Sequence, residues 1–382
     1  MRPPRLHFRS SNTKNVKCVD LPPTIRIMFV FAGLRIVDLF CQHSVQLIMD
    51  SLTQLTLGAA VGEAVLGKRI GRKALLWGAA GGTLPDLDVL LKYADPVMDF
   101  TYHRSFSHSI FVLSLLTPVF VWLILKIHPS SKRYSRQWAL MIWLVFMTHI
   151  FLDCLTVYGT QIFWPIWNHP VGLGSIFIID PLYTVPLIVG VLAALLMKQD
   201  NHWQYRLNIV GLTLSSLYLV WSVSAQYYAY KMVEDSLDRQ SIQYRQLLVS
   251  AAPLNTLLWR VVAIKHDGHY YEGFYSLLDQ SEDVFLEEHE SQNDLLTEID
   301  QSWPVIRLMW FTKGYFKVWQ NADGIIMSDL RMGMEPNYVF SFAVAKSSNP
   351  HVLPISAERI RQSRDLASLK KVWQRIWSSP MG

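Results

Sequence analysis

Beyond residue 50 the chain alternates apolar runs with short polar breaks, at about 52–67, 74–92, 109–127, 138–158, 176–197 and 206–224. The last four approach the ~20 residues that cross a hydrocarbon core. The first two are shorter and rich in small residues, with Gly58-x-x-x-Gly62 and Gly78-x-x-x-Gly82. That spacing lets two backbones approach closely. The second run is interrupted by Gly81-Gly82 and then Pro85. Such a break is tolerated at membrane depth only where the backbone is buried in protein or lines a wet cavity. After about residue 225 the pattern changes. Residues 226–250 read as an amphipathic, mixed-charge helix leaving the membrane. Strand-like runs follow at 257–265 and 269–277, joined by the hairpin signal His266-Asp267-Gly268. Two more, 314–320 and 325–329, flank Asn321-Ala322-Asp323-Gly324, and 338–345 alternates likewise. Residues 281–300 hold eight acids and no Lys or Arg, which suits a solvated face. Residues 356–377 fit an amphipathic helix with Ile360, Leu366, Leu369, Trp373 and Ile376 on its apolar side. The expected fold is a membrane all-α bundle of about six segments followed by a small α+β extracytoplasmic domain.

Composition agrees with that division. Hydrophobic residues make up 51% of the 382 and charged residues only 17%. This is too apolar for an ordinary soluble domain and too polar for a pure membrane bundle. The 14 Trp and 16 Tyr suit interfacial belts. A net charge of +5 does not call for nucleic acid. The cysteines, Cys18, Cys41 and Cys154, leave none for a disulfide within the C-terminal part, and there is no CxxC zinc motif.

The cations fall in particular loops. Lys68, Arg69, Arg72 and Lys73 separate segments one and two; Lys132, Arg133 and Arg136 separate three and four; Lys198 and Arg206 flank the turn between five and six. The positive-inside rule makes these loops cytoplasmic. The opposite ends, and the C-terminal domain, then face outward, on the far side of the membrane from the cytoplasm. Residues 1–48 read as an N-terminal extension, from a start codon assigned too early or an extra anchor. Their apolar run at 27–41 contains Arg35 and Asp38, and Met49-Asp50-Ser51 looks a more natural start. Residues 49–225 would be the membrane domain and 226–382 the soluble one.

Three polar motifs interrupt the apolar part. They are Pro85-Asp86-Leu87-Asp88, His103-Arg104-Ser105-Phe106-Ser107-His108-Ser109 and His149-Ile150-Phe151-Leu152-Asp153. By the charge argument all three lie on the outer side, as does Asp180. Ionisable groups in a bilayer are paired, metal-bound or functional. His149 and Asp153, four apart, share one face of a helix. His103 belongs in a loop and His108 at the opening of segment three, with Ser107 as its expected N-cap. Asp86 and Asp88 repel and need a cation nearby. A metal suits the six side chains Asp86, Asp88, His103, His108, His149 and Asp153. Mixed His and Asp donors favour zinc, or manganese or iron in a two-metal site. Arg104 and Asp88 are the candidate catalytic residues. Arg104 could bind an anionic oxygen such as phosphate, or snorkel to the interface.

Those motifs, with Met49-Asp50-Ser51-Leu52-Thr53-Gln54, resemble the YdjM-like family, LexA-regulated inner-membrane proteins described as metal-dependent hydrolases of bacteria. The likeness covers roughly 49–200. Pro253-Leu254-Asn255-x-x-x-x-Trp259-Arg260 and Ser328-Asp329-Leu330-Arg331-Met332-Gly333 are similar to longer members with an added C-terminal domain. Family members commonly carry Thr-His where this chain has Thr53-Gln54; if that histidine is a ligand elsewhere, this chain has lost one donor. The resemblance implies hydrolysis by a metal-activated water, with the lipid bilayer as surroundings and a phosphoester or lipid-type substrate. Two other classes compete. One is a membrane protein that handles metal ions or protons through the same groups. The other is an anchor with a structural metal and a partner-binding soluble domain. Lys313, Asp329 and Arg331 either shape an entrance or pair on the surface of that domain; the surface role is the expected one.

Overall fold

The structure is a computed structural model. It describes residues 44–198, 201–322, 324–347, 352–360 and 366–378. Expectations for residues 1–43, including the run at 27–41, Cys18 and Cys41, fall outside these residues. From Ile48 onward the chain forms one compact unit.

Helix α1, Ser44–Gly62, runs on through a π turn at Glu63–Gly67 and a last turn at Lys68–Ile70. Gly71, at φ 66°, reverses the chain into α2, Arg72–Thr83. The two helices touch backbone to backbone at the small residues. A Cβ on Gly58 would lie 2.3 Å from the Gly78 carbonyl oxygen, and one on Gly82 2.4 Å from that of Gln54. Pro85 opens a 3-10 turn, Pro85–Leu90, because its ring fixes φ and it has no N–H to continue the helix. Helix α3, Pro96–Tyr102, is capped by Asp95, which accepts from the Val97 N–H. A 3-10 turn at Phe106–His108 leads into α4, Ile110–Ile127. Its N-cap is Ser109, accepting from Val112, and not Ser107 as expected. The Ser107 hydroxyl is engaged elsewhere, as described below. Helix α5 spans Ser135–Leu155, α6 Pro181–Leu196 and α7 His202–Arg239. Asp180 caps α6 through the Leu182 and Tyr183 N–H groups and accepts from the Tyr218 hydroxyl.

Among the described residues, three helical stretches are long and apolar enough to cross a membrane: Ile110–Ile127, Pro129–Leu155 and His202–Arg239. Pro181–Leu196 is apolar but shorter. The basic loops gather. Lys68 lies over the Tyr205 ring, Arg72 donates to the Met197 carbonyl and Arg69 faces Tyr134.

The C-terminal part is sheet-rich. Strands β1 (Gln246–Ala251), β2 (Leu258–Ile264), β3 (Tyr270–Ser276) and β4 (Leu286–His289) form one antiparallel sheet in that order. After α8 (Trp303–Phe311) come β5 (Phe316–Asn321), β6 (Gly324–Asp329), a small ladder of β7 (Gly333–Met334) and β8 (Asn337–Tyr338), then β9 (Ser341–Ser347) and β10 (Val352–Ile360). The second sheet has the order β10-β9-β6-β5. Both expected hairpins form, with Gly268 at φ 90° and Gly324 at φ 129°. The eight acids of 281–300 are exposed, as a solvated face requires, although β4 crosses the segment.

Two helical expectations are corrected. Helix α7 stops at Arg239, and 246–250 is a strand rather than the end of a helix. Leu247, Leu248 and Val249 find partners in Ala263, Val262 and Val261 along the whole of β2. Likewise 356–360 belongs to β10, paired through Glu358, Arg359 and Ile360 with β9, and among the described residues of this stretch the helix is Leu366–Arg375, α9. Val372 and Ile376 of that region are buried, but Trp373 is exposed. In both places ladder pairing overrides local helical pattern.

One packing feature positions the site. Val97 and Phe100 of α3, with Tyr158 after α5, sit in the apolar core of the sheet-rich part beside Phe311, Phe316 and Phe342. The Phe100 ring lies 4.8 Å from Phe311 and 4.4 Å from Phe340. The chain between the aspartate and histidine motifs is thereby pinned to the sheets.

Candidate metal centre

Four of the six expected donors converge. Asp86, His108, His149 and Asp153 each offer an atom within 4.8 Å of all the others, and all four are at most 7% exposed. The 3-10 turn after α2 brings Asp86, the turn before α4 brings His108, and one face of α5 brings His149 and Asp153. His108 Nε2 is 3.2 Å from His149 Nε2, 3.3 Å from Asp86 Oδ1 and 3.1 Å from Asp153 Oδ2. His149 Nε2 is 3.5 Å from Asp86 Oδ1 and 3.4 Å from Asp153 Oδ2. A tetrahedron with bonds of about 2.0–2.1 Å has edges of roughly 3.3 Å. Five measured edges match that length.

The outer contacts fix which ring nitrogens point inward. His149 Nδ1 lies 2.8 Å from the Gly82 carbonyl. A carbonyl only accepts, so Nδ1 carries a hydrogen, and in the neutral form that binds a metal the ring presents its lone pair at Nε2. The Ser107 hydroxyl donates to Asp88 Oδ2 at 2.5 Å and so accepts from His108 Nδ1 at 2.9 Å. His108 therefore also presents a lone pair at Nε2. In their neutral forms the two rings bring these lone pairs 3.2 Å apart beside two carboxylates, an arrangement suited to a cation between them. Among the described residues Asp86 Oδ2 and Asp153 Oδ2 are buried without a hydrogen-bond partner, which is costly unless a metal ion takes up their charge. On its donor chemistry the cluster fits a divalent ion.

Asp88 and His103 stand one layer out. Asp88 Oδ1 is 2.7 Å from His103 Nδ1, while Asp88 Oδ2 accepts from the Ser107 hydroxyl and the Arg104 N–H. Arg104 is buried at 1% exposure, so the snorkelling role is excluded. Its Nη2 is 3.2 Å from Asp153 Oδ1 and its Nη1 donates to Thr156. The Arg104 backbone has φ 61°, a strained value for a non-glycine residue. The strain is held by the bond from its N–H to Asp88 and by its carbonyl, which accepts from Gln161.

Gln54, where the resemblance leads one to expect histidine, also lies at the cluster. Gln54 Nε2 donates to Asp153 Oδ1 at 2.9 Å. Ser107, Thr156 and Gln54 had no metal-ligand signature in sequence; the only sign was a small polar residue in or beside an apolar helix. Asp180 stands apart as a helix cap. Asp329 and Arg331 correct the surface expectation, since both are buried. Arg331 pairs with Asp329 at 2.7 Å and donates through Nη1 to the Tyr158 carbonyl at 3.0 Å. Lys313 is half-buried beside them, and burial, with the Arg331 charge, lowers its amine to about 8.

The comparisons with known proteins point the same way. The family model described as YdjM inner membrane protein matches residues 49–230. A protein of Bacillus subtilis (strain 168) named "Uncharacterized protein YfhP" is 27% identical over 179 residues, 45% of this chain and 51% of that protein. The chain thus spans about half the length of that curated relative. No solved structure matches. The stretch that this family model matches, residues 49–230, supplies every donor of the buried cluster, Asp86, His108, His149 and Asp153.

Proposed function

We propose that this is a membrane-bound, metal-dependent hydrolase acting on a phosphoester or lipid-type substrate from the periplasmic face of the inner membrane. The observation that carries the reading is the set of five donor–donor distances between 3.1 and 3.5 Å. Two imidazoles and two carboxylates suit zinc best, with manganese or iron next. Such an ion, when bound, supplies the Lewis acidity that activates water at neutral pH. Six donors for two ions are not needed: Asp86, His108, His149 and Asp153 hold one, and Asp88 and His103 take another role. His103 is the more exposed member of that pair, at 21% against 4%. The Asp88 carboxylate orients its ring and leaves Nε2 to exchange a proton with a reacting group. Arg104 is committed to Asp153 and Thr156, so it orients a donor rather than the substrate. Exposed Leu87, Leu90, Leu91, Ile166 and Trp167 surround this end, which suits a substrate reached at the bilayer surface.

A second reading has its own support. Four buried protein donors complete a tetrahedron, as in structural zinc sites, and the sheet-rich part packs on α3 beside them. Phosphoester hydrolysis by the metal-loaded full chain separates the two. The hydrolase reading requires turnover that His103→Ala reduces while metal content is kept. Turnover indistinguishable from the metal-free chain leaves the structural reading. For the location, a reporter fused after residue 378 should behave as periplasmic; a cytoplasmic signal reverses the orientation.

A further inference from the structure

A second buried carboxylate lies among the basic loops. Glu63 is 1% exposed and opens the π turn Glu63–Gly67, a helix irregularity frequent at functional sites. The turn is shaped around the carboxylate. A Cβ at Gly67 would meet Glu63 Cδ, Oε1 and Oε2 at 2.3, 2.4 and 2.4 Å, so the carboxylate packs directly against the Gly67 backbone and a side chain there would displace it. Gln204 Nε2 donates to Oε1 at 2.9 Å. Among the described residues Oε2 has no partner. Glu63 lines a cavity of about 540 Å³ whose other walls include Lys68, Arg69, His202, Gln204 and Tyr205. Lys68, Arg69 and His202 are exposed, while Glu63 and Gln204 are buried. The cavity therefore has an acidic floor with one unused acceptor and a basic rim.

We propose that this cavity binds a small zwitterion, a primary ammonium joined to a phosphate, the chemistry shared by an aminophospholipid headgroup and free phosphoethanolamine. The ammonium donates to Glu63 Oε2, and the phosphate meets Lys68 and Arg69. A simple anion would meet the Glu63 charge. A hard metal cation would find one carboxylate and an amide that presents its N–H₂ to that carboxylate, too few oxygens for such an ion. The site is separate from the His/Asp cluster and does not depend on hydrolase activity.

The test uses the full chain in detergent, titrated calorimetrically with O-phosphoethanolamine, ethanolamine and inorganic phosphate separately. The zwitterion should bind roughly tenfold or more tighter than either half, since each end contributes a charge-assisted contact. Glu63→Gln should weaken it by roughly tenfold while metal content stays unchanged. Lys68→Ala, at an exposed rim position, should weaken phosphoethanolamine and phosphate alike and leaves the buried carboxylate intact should Glu63→Gln not fold. In nanodiscs, a higher Tm in phosphatidylethanolamine than in phosphatidylcholine, lost in Glu63→Gln, identifies a lipid source. Binding of the free zwitterion without that lipid effect identifies a soluble one. Phosphate binding as tightly as phosphoethanolamine, or no binding of either, overturns the proposal.

Discussion

Three donors of the cluster, His108, His149 and Asp153, are held by neighbours that no ligand pattern contains. Ser107 is the example. Its hydroxyl links His108 Nδ1 to Asp88, fixing the tautomer that turns Nε2 inward. Ser107→Ala should lower metal affinity by roughly 10–100-fold, the usual cost of losing an outer partner of a ligating histidine, with little change in secondary structure. Competition against a chelator of known affinity measures this; unchanged affinity would show that the serine does not orient His108. Arg104→Ala should do more. It leaves the Asp153 charge buried beside a cavity, and breaking a buried pair costs about 3–5 kcal/mol. A Tm within a degree or two of wild type would contradict that placement. At this scale the sequence was legible where chemistry is carried by residue type: His108, His149, Asp86 and Asp153 stand out as ionisable groups in apolar surroundings. The split between ligands and Asp88 with His103 was not, because it depends on which oxygen of Asp88 meets Ser107, a matter of tertiary geometry.

At the scale of elements, the glycines of α1 and α2 decide whether the cluster can form. Gly58 and Gly78 meet carbonyl to Cα, and a Cβ on Gly78 would lie 2.2 Å from the Gly58 oxygen. Gly82, on the same ridge, gives its carbonyl to His149. Gly78→Leu should force the helices apart, withdraw the Gly82 carbonyl and lower both Tm and metal content together. Full metal content at wild-type Tm would mean the close contact is dispensable. This contact was readable from the small-residue spacing, which is a local pattern. The helix ends were less so. Residues 246–250 and 356–360 carry helix-compatible sequence, but their backbone groups pair with the neighbouring strands β2 and β9, a pairing that outweighs the local helical pattern.

At the scale of the whole molecule, the sheet-rich part and the helices share a core through Phe100 and Tyr158. Composition foretold two kinds of structure, but not that α3 would be their meeting point, since seven residues between two polar motifs carry no periodic signal. Arg331 ties the Asp329 strand end to the Tyr158 carbonyl, and Lys313 lies beside it with its amine lowered to about 8. An unfolded lysine titrates near 10.4, so between those values the unfolded chain binds more protons than the folded one. Stability should then rise as pH increases from about 8 toward 10.4. Lys313→Met should flatten that rise in thermal unfolding of the full chain, and a slope identical to wild type would show that the lysine is not desolvated. The central claim is that the chain holds one divalent ion on Asp86, His108, His149 and Asp153. Elemental analysis of the purified full chain, beside His108→Ala and Asp153→Ala, tests it most directly. The account predicts about one equivalent of a transition metal, zinc foremost, in the wild-type chain and loss of most of it in either variant. No stoichiometric metal in the wild type, or the same content in all three, would contradict it.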